Sequence, residues 1–190
     1  MNNQFIEDLE KAKAAAISDF LEVEMSCFDQ DRYKNIIQED KTTVLFFIDF
    51  RQSKFLFLSS NTPEVEGYTK EEIIAMGPFK FYDLIHPADN IIMNSNTFVS
   101  INKYFINLDK DDISDYKIGY NYRLKQKDGT YVWLDNEFIF LMAGDNYEPL
   151  IIVGTAQKKE QLASTKLYAR IFKLNEEDDY DMVFENIIED

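Results

Sequence analysis

The sequence predicts an α+β chain, and three observations predict it. Residues 43–58 hold two β-branched and aromatic runs separated by a polar turn. Residues 61–107 carry a succession of helix-start signals. Residues 117–156 return to strand-like sequence around a turn at Lys127–Gly129. The predicted order is two strands, several short helices, one longer helix and three strands. Helical segments at 1–42 and 158–190 flank this central region.

Taken in order, residues 4–27 read as an amphipathic helix. Ile6, Leu9, Ala12, Ala16, Ile17, Phe20 and Val23 recur mostly at three- and four-residue spacing. A shorter helix is predicted over about 31–38. Thr43–Phe50 is the first strand, Arg51–Lys54 a polar turn and Phe55–Ser59 the returning strand. Asn61 or Thr62 is placed to cap a short helix with Pro63 in its first turn. Thr69 and Glu72 form a capping box before Ile73 and Ile74. Gly77-Pro78 ends that helix, Phe79–Ile85 predicts a further helical turn, and Pro87 starts a longer helix to about Asn107.

The hairpin at Asp128-Gly129 can be read in register. A two-residue loop sets Leu124 beside Trp133 and Tyr122 beside Asp135, mixing apolar and charged groups. A three-residue loop with Gly129 left-handed pairs Gln126 with Thr130. Leu124 then faces Val132, Tyr122 faces Leu134 and Ile118 faces Phe138, giving one apolar face. The second register is preferred, because a one-residue slip turns every side chain over. The last strand is Pro149–Ala156, and 158–172 is compatible with a helix leaving the domain.

Composition bounds the function. With 190 residues, 45% hydrophobic and 15% aromatic, sixteen of them Phe and eleven Tyr, the chain can bury an aromatic core. No apolar run reaches the roughly 18 residues of a membrane span. The start, Met1-Asn2-Asn3-Gln4-Phe5-Ile6-Glu7-Asp8, lacks a signal peptide's basic and apolar regions. Cys27 is the one cysteine, so no internal disulfide forms. These features point to the cytoplasm. The formal net charge is -15, and after Asn175 come eight acidic residues and no basic one. Such a surface repels phosphate, which argues against nucleic acid or anionic membrane as partners.

Several words of sequence, in order, resemble a PAS domain over roughly residues 43–157. Phe47-Ile48-Asp49 resembles the family's first strand. Leu58-Ser59-Ser60-Asn61 with Gly67-Tyr68-Thr69 resembles its S-x-N…GY segment. Ile85-His86-Pro87-x-Asp89 resembles its IHPxD box. Tyr122-Arg123, Asp128-Gly129 and Trp133-Leu134 resemble its YR…DG…WV hairpin, and Gly154-Thr155 its last strand. The resemblance implies a five-stranded antiparallel sheet with helices on one face. It implies a sensory module rather than an enzyme, similar to the inputs of bacterial LuxR-type transcription regulators or of histidine kinases. A transcription regulator is favoured, with its DNA-binding part beyond Asp190 or in a partner. A kinase sensor and a stand-alone protein-interaction adaptor are the alternatives. Where the family closes with Asp-Ile-Thr before an outgoing helix, this chain has Gln157-Lys158-Lys159.

Individual residues were weighed on their chemistry. His86 is the single histidine. Haem ligation is open to a PAS histidine in principle, but a helix start with Asp89 on the backbone amides accounts for the word better. Cys27 reads as a buried structural cysteine, because the flavin-reactive Asn-Cys-Arg-Phe word of PAS relatives is absent from Phe79–Leu84. No flavin, haem or metal is expected. No acid and base face each other for hydrolysis, and no glycine loop for phosphate is present. Phe47, Phe57, Phe81, Tyr82, Phe98, Tyr122, Leu134 and Phe138 either line a small ligand cavity or are simply core. On the other face Arg123 lies opposite Trp133, near Tyr131 and Ile139. That apolar surface is covered either by residues 4–27, including Phe20, or by a second copy in a homodimer.

Overall fold

The computed structural model describes residues 41–59, 61–108, 110–145, 147–159, 166–177 and 179–188. The chain divides into two units, Met1–Asp40 and Lys41–Asp190. The first lies outside the described residues, and with it the helices expected over 4–27 and 31–38, Phe20 and Cys27.

The second unit is built on one antiparallel sheet. Strands β1 (Thr43–Asp49) and β2 (Lys54–Leu58) precede the helical region. That region comprises α1 (Thr62–Val65), α2 (Lys70–Tyr82), α3 (Pro87–Ile92), a π-helical turn (Met93–Thr97) and α4 (Phe98–Phe105). Strands β3 (Tyr116–Lys125), β4 (Tyr131–Ala143), β5 (Pro149–Lys159), β6 (Leu167–Leu174) and β7 (Tyr180–Ile188) follow. The spatial order is β2-β1-β5-β4-β3-β6-β7. The sheet therefore has seven strands where five were expected. Among the described residues no helix is long and apolar enough to cross a membrane.

Local chemistry explains most elements. The Thr69 hydroxyl accepts from the Glu72 amide at 3.3 Å, and the Glu72 carboxylate accepts from the Thr69 amide at 3.0 Å. This is the expected capping box of α2. Gly77, at φ 73°, breaks α2 before Pro78, and a further turn of helix follows. Asn61 occupies the cap position of α1 but its side chain does not cap. Its amide donates instead to the Thr43 carbonyl, while its oxygen accepts from the Ser59 hydroxyl at 2.6 Å. The β1 backbone outcompetes a helix of one turn for this side chain.

The hairpin has the expected register: Leu124 with Val132, Tyr122 with Leu134 and Ile118 with Phe138. The Gln126 amide donates to Thr130 at 2.7 Å, and the Gly129 amide to Gln126 at 3.0 Å. Gly129 has φ 88°. The core lies between the helices and the face carrying Phe46, Ile48, Ile118, Leu134, Phe138 and Ile152.

The C-terminal region departs from the helical extension expected over 158–190. Strand β5 runs on to Lys159, and β6 then pairs with β3 through Ile118–Ile171 and Tyr120–Ala169. Leu, Ala, Lys and Arg favour helices in isolation, but Leu167, Ala169 and Ile171 alternate with half-buried residues and are themselves buried. Pairing with the open edge of β3 satisfies backbone groups that a departing helix would leave bare. Strand β7 returns along β6 and packs Phe184 against Tyr104 of α4, ring centroids 5.7 Å apart.

Two glycines make opposite predictions about cause. At Gly154 an added Cβ would stand 2.3 Å from the Glu137 carbonyl oxygen and 2.8 Å from Phe46. Gly154→Ala is expected to cost about 3 kcal/mol by overpacking. At Gly129 an added Cβ meets nothing within 4 Å, so Gly129→Ala should cost only about 1–2 kcal/mol, through its backbone conformation. Urea denaturation of both variants checks this; equal costs would contradict it.

Candidate ligand cleft

A cleft of about 750 Å³ separates the helices from the sheet. The sheet contributes Ile118 and Tyr120 from β3, Phe138 and Phe140 from β4 and Ile152 from β5. The helical region contributes Phe79, Tyr82, Phe98, Ile101 and Phe105. Aromatic contacts fix this wall: Phe98 meets Tyr120 edge-on at 5.5 Å, and Phe105 meets Phe140 at 5.8 Å. Asn90, Asn94, Asn102 and Glu148 add polar groups along it, beside the phenols of Tyr82, Tyr120 and Tyr147. The π-helical turn beside Asn94 adds a residue to that helical run, a feature often found at functional sites.

A second, small cavity of about 30 Å³ shares Tyr82, Tyr120 and Ile152 with the cleft. Its polar lining is Glu66, Tyr82, Tyr120, Tyr122 and Asn136. Glu66 follows α1, where its amide donates to Thr62 at 2.7 Å, and Gly67 then turns the chain at φ 80°. This geometry buries the Glu66 side chain, 3% exposed. Among the described residues its Oε2 has no hydrogen-bond partner, and neither does Nδ2 of Asn136. Burial pushes the Glu66 carboxyl up to about 8. The phenols are raised too, first by burial, Tyr120 and Tyr122 well above the ordinary range. The Tyr122 hydroxyl donates to Asn136 Oδ1 at 3.4 Å, and the hydroxyls of Tyr82 and Tyr120 also lie 3.4 Å apart. At neutral pH the cavity is uncharged and rich in donors.

The residues expected to form a pocket divide among four places. Phe81, Tyr82 and Tyr122 line the small cavity; Tyr82, Phe98 and Phe138 line the cleft. Leu134 is in the same core without lining either space. Phe47 and Phe57 are on the opposite side of the sheet, edge to face at 6.4 Å. Both sides of β1 are buried, so alternation could not tell Phe46 from Phe47. Glu66, Tyr120 and Asn136 were missed. Tyr120 and Asn136 were legible, since each falls on the inward parity of the hairpin register. Glu66 was not, because a glutamate ending a short helix ordinarily faces water.

On the outer face Arg123 opposes Trp133, its guanidinium 5.4 Å from the indole. Tyr131 and Ile139 are on that face, and Tyr131 is exposed. His86 caps α3, its Nδ1 accepting from the Ala88 amide at 3.3 Å. Asp89 does not sit on the helix amides as expected. Its carboxylate accepts from the Arg123 backbone amide and from Nε, both at 2.9 Å, and also from Nη2. The guanidinium fork offers a carboxylate two parallel charged donors, which free helix amides do not. Among the described residues no group of three His, Cys, Asp or Glu side chains could hold a metal.

Glu66 sets a pH dependence. The unfolded chain ionises this carboxyl near its ordinary 4.5, whereas the folded chain retains the proton to about 8. Its contribution to stability is therefore full below 4.5 and is lost as pH rises through 8. Glu66→Gln should flatten that decline and raise stability at pH 8 by on the order of 3 kcal/mol. Denaturation at pH 5, 6.5 and 8 checks this; parallel curves for the two proteins would contradict it.

The family model described as PAS fold matches residues 55–156, more than half of the chain. A comparison with curated proteins returned no match. Among solved structures, a domain of the putative light and redox sensing histidine kinase from Haloarcula marismortui is similar, at 17% identity. That match covers 67% of this chain and 98% of that one, with a TM-score of 0.45. The PAS domain of a protein from Colwellia psychrerythraea is 19% identical over 67% of this chain and 93% of that one, TM-score 0.45. The N-terminal domain of a diguanylate cyclase with PAS/PAC sensor from Marinobacter aquaeolei is 15% identical. It covers 61% of this chain and 94% of that one, TM-score 0.43. With the strand order β2-β1-β5-β4-β3 inside its sheet and the family model matched across the helices and hairpin, the chain belongs to the PAS fold family.

Proposed function

We propose that this chain is a non-catalytic, cytoplasmic sensory module that takes a small apolar ligand between its helices and its sheet. The cleft of about 750 Å³ carries this reading. It is of ligand size, mostly apolar, and walled by both layers of the fold. A ligand there would bear on the helical region and on β3 together. The β6–β7 hairpin touches both, through β3 pairing and through Phe184 on Tyr104. Occupancy is then passed to an output part, for which a LuxR-type transcription regulator is the favoured setting. A kinase sensor is the second setting. It is less favoured because a strand follows β5 at Leu167, where relay into a kinase calls for a continuing helix.

Filling the cleft tests the sensory reading. Ile101 is buried on its wall. Neutral aromatic compounds should raise the melting temperature of the wild type, and Ile101→Trp should abolish the rise while leaving the circular dichroism spectrum intact. Equal responses in the two proteins would refute the cleft as the site.

The partner is a second copy, through the face that carries Arg123, Tyr131, Trp133 and Ile139. Light scattering over a concentration series should show a mass near twice 22.4 kDa. A mass that stays monomeric at high micromolar concentration would refute the dimer.

A further inference from the structure

The small cavity narrows the chemistry of the ligand, given the reading of the cleft as a ligand site. Two polar atoms on its lining residues, Glu66 Oε2 and Asn136 Nδ2, have no hydrogen-bond partner among the described residues, although Glu66 is 3% and Asn136 2% exposed. Leaving such groups unpaired is expensive. They face a space of about 30 Å³, the room of one water or one small ligand atom. The cavity adjoins the cleft at Tyr82 and Tyr120, whose hydroxyls are 3.4 Å apart. That is the long limit of a hydrogen bond, so parting them to admit a ligand group costs little.

We propose that the chain binds a neutral ligand whose aromatic or otherwise apolar body fills the cleft. Its single oxygen head, a phenolic hydroxyl or a carbonyl, lies in the cavity between Glu66 and Asn136. The donors decide the sign of the head. Asn136 offers an N–H without a partner among the described residues, and the hydrogen-bonded Tyr82–Tyr120 pair has one further hydroxyl proton to give, while Tyr122 gives its own to Asn136 Oδ1. Burial keeps Glu66 protonated at neutral pH, so it too donates. A ligand oxygen accepts from these groups. A carboxylate does not suit the site: among the described residues no Lys, Arg or His lines either space, and Glu148 lies on the cleft wall. An ammonium head would face the Asn136 N–H and would need Glu66 to ionise.

Four probes with one body test the head: 2-naphthol, naphthalene, 2-naphthoate and 2-naphthylmethylammonium. Each is titrated into the full ¹⁵N-labelled chain at pH 7, reading backbone amides of the cleft and the Asn136 side-chain amide. Naphthol is expected to bind at least tenfold tighter than naphthalene and tighter than either ion, and to move the Asn136 amide signals. Asn136→Leu should bring naphthol to the level of naphthalene, whereas Glu66→Gln, which keeps a neutral donor, should preserve the preference. The wild-type series decides the matter without either variant. Naphthol no tighter than naphthalene, with cleft amides shifting for both, would mean that the cavity holds water alone. That result overturns the head assignment and leaves the cleft reading standing. Tightest binding by either ion also overturns the head assignment. No shift with any of the four probes overturns the cleft reading and this inference with it.

Discussion

The pairing of Asp89 with Arg123 is the constraint on which the rest of this unit depends. The edge of β3 needs a partner along its whole length. Over Tyr116–Tyr120 that partner is β6. Beyond it, Leu84 and His86 take over: the Lys125 amide donates to Leu84 and the His86 amide to the Arg123 carbonyl, each at 2.8 Å. The Arg123 amide is left between them, and the Asp89 carboxylate accepts from it. A side chain thus stands in for a strand carbonyl. Asp89 is 1% exposed, and the Arg123 guanidinium lies directly against its carboxylate. A buried pair of this kind adds little net stability, but losing one partner is severe, about 3–5 kcal/mol. What the pair supplies is position. It sets the start of α3 at one height on β3, and through α3 it places the π-helical turn and α4 over the sheet. The width of the cleft follows from that height.

How much of this was legible depends on where the deciding interaction lies. The hairpin register could be read because Gly129 and the apolar parity of Leu124, Tyr122 and Ile118 are local and agree with each other. The capping box at Thr69 is local too. Strand β6 was not legible in the same way. Its residues have helix propensity, and the open edge that recruits them belongs to a strand some fifty positions earlier. Phe47 and Phe57 were misplaced for another reason. The β1–β2 pairing shifts register between Phe47 and Ile48, and the burial of both faces of β1 erases the alternation that would have shown it. In the site, the tyrosines and Asn136 follow from the hairpin. Glu66 is visible only once the turn at Gly67 has been built.

Strand β3 is also where the two halves of the proposed function meet. Tyr120 and Tyr122 point to the cleft and the cavity. Between them, on the other parity, Asn121 is buried and accepts from the Tyr168 amide at 2.9 Å while donating to the Lys166 carbonyl at 3.1 Å. Its side-chain amide behaves as a peptide unit that joins β6 to β3 where the backbone ladder ends. The hydroxyl of Tyr168 donates in turn to Asp135 of β4. Through its first strand, β6, the hairpin is therefore held by β3 and β4. Through its second strand, β7, Phe184 rests on Tyr104 and Asn186 donates to Asn96 of the π-helical turn at 2.8 Å. A ligand that parts the helices from the sheet must strain one of these two attachments, because a paired hairpin is stiffer than a loop. Contacts to both walls make the hairpin sensitive to the separation of the layers rather than to the movement of either one.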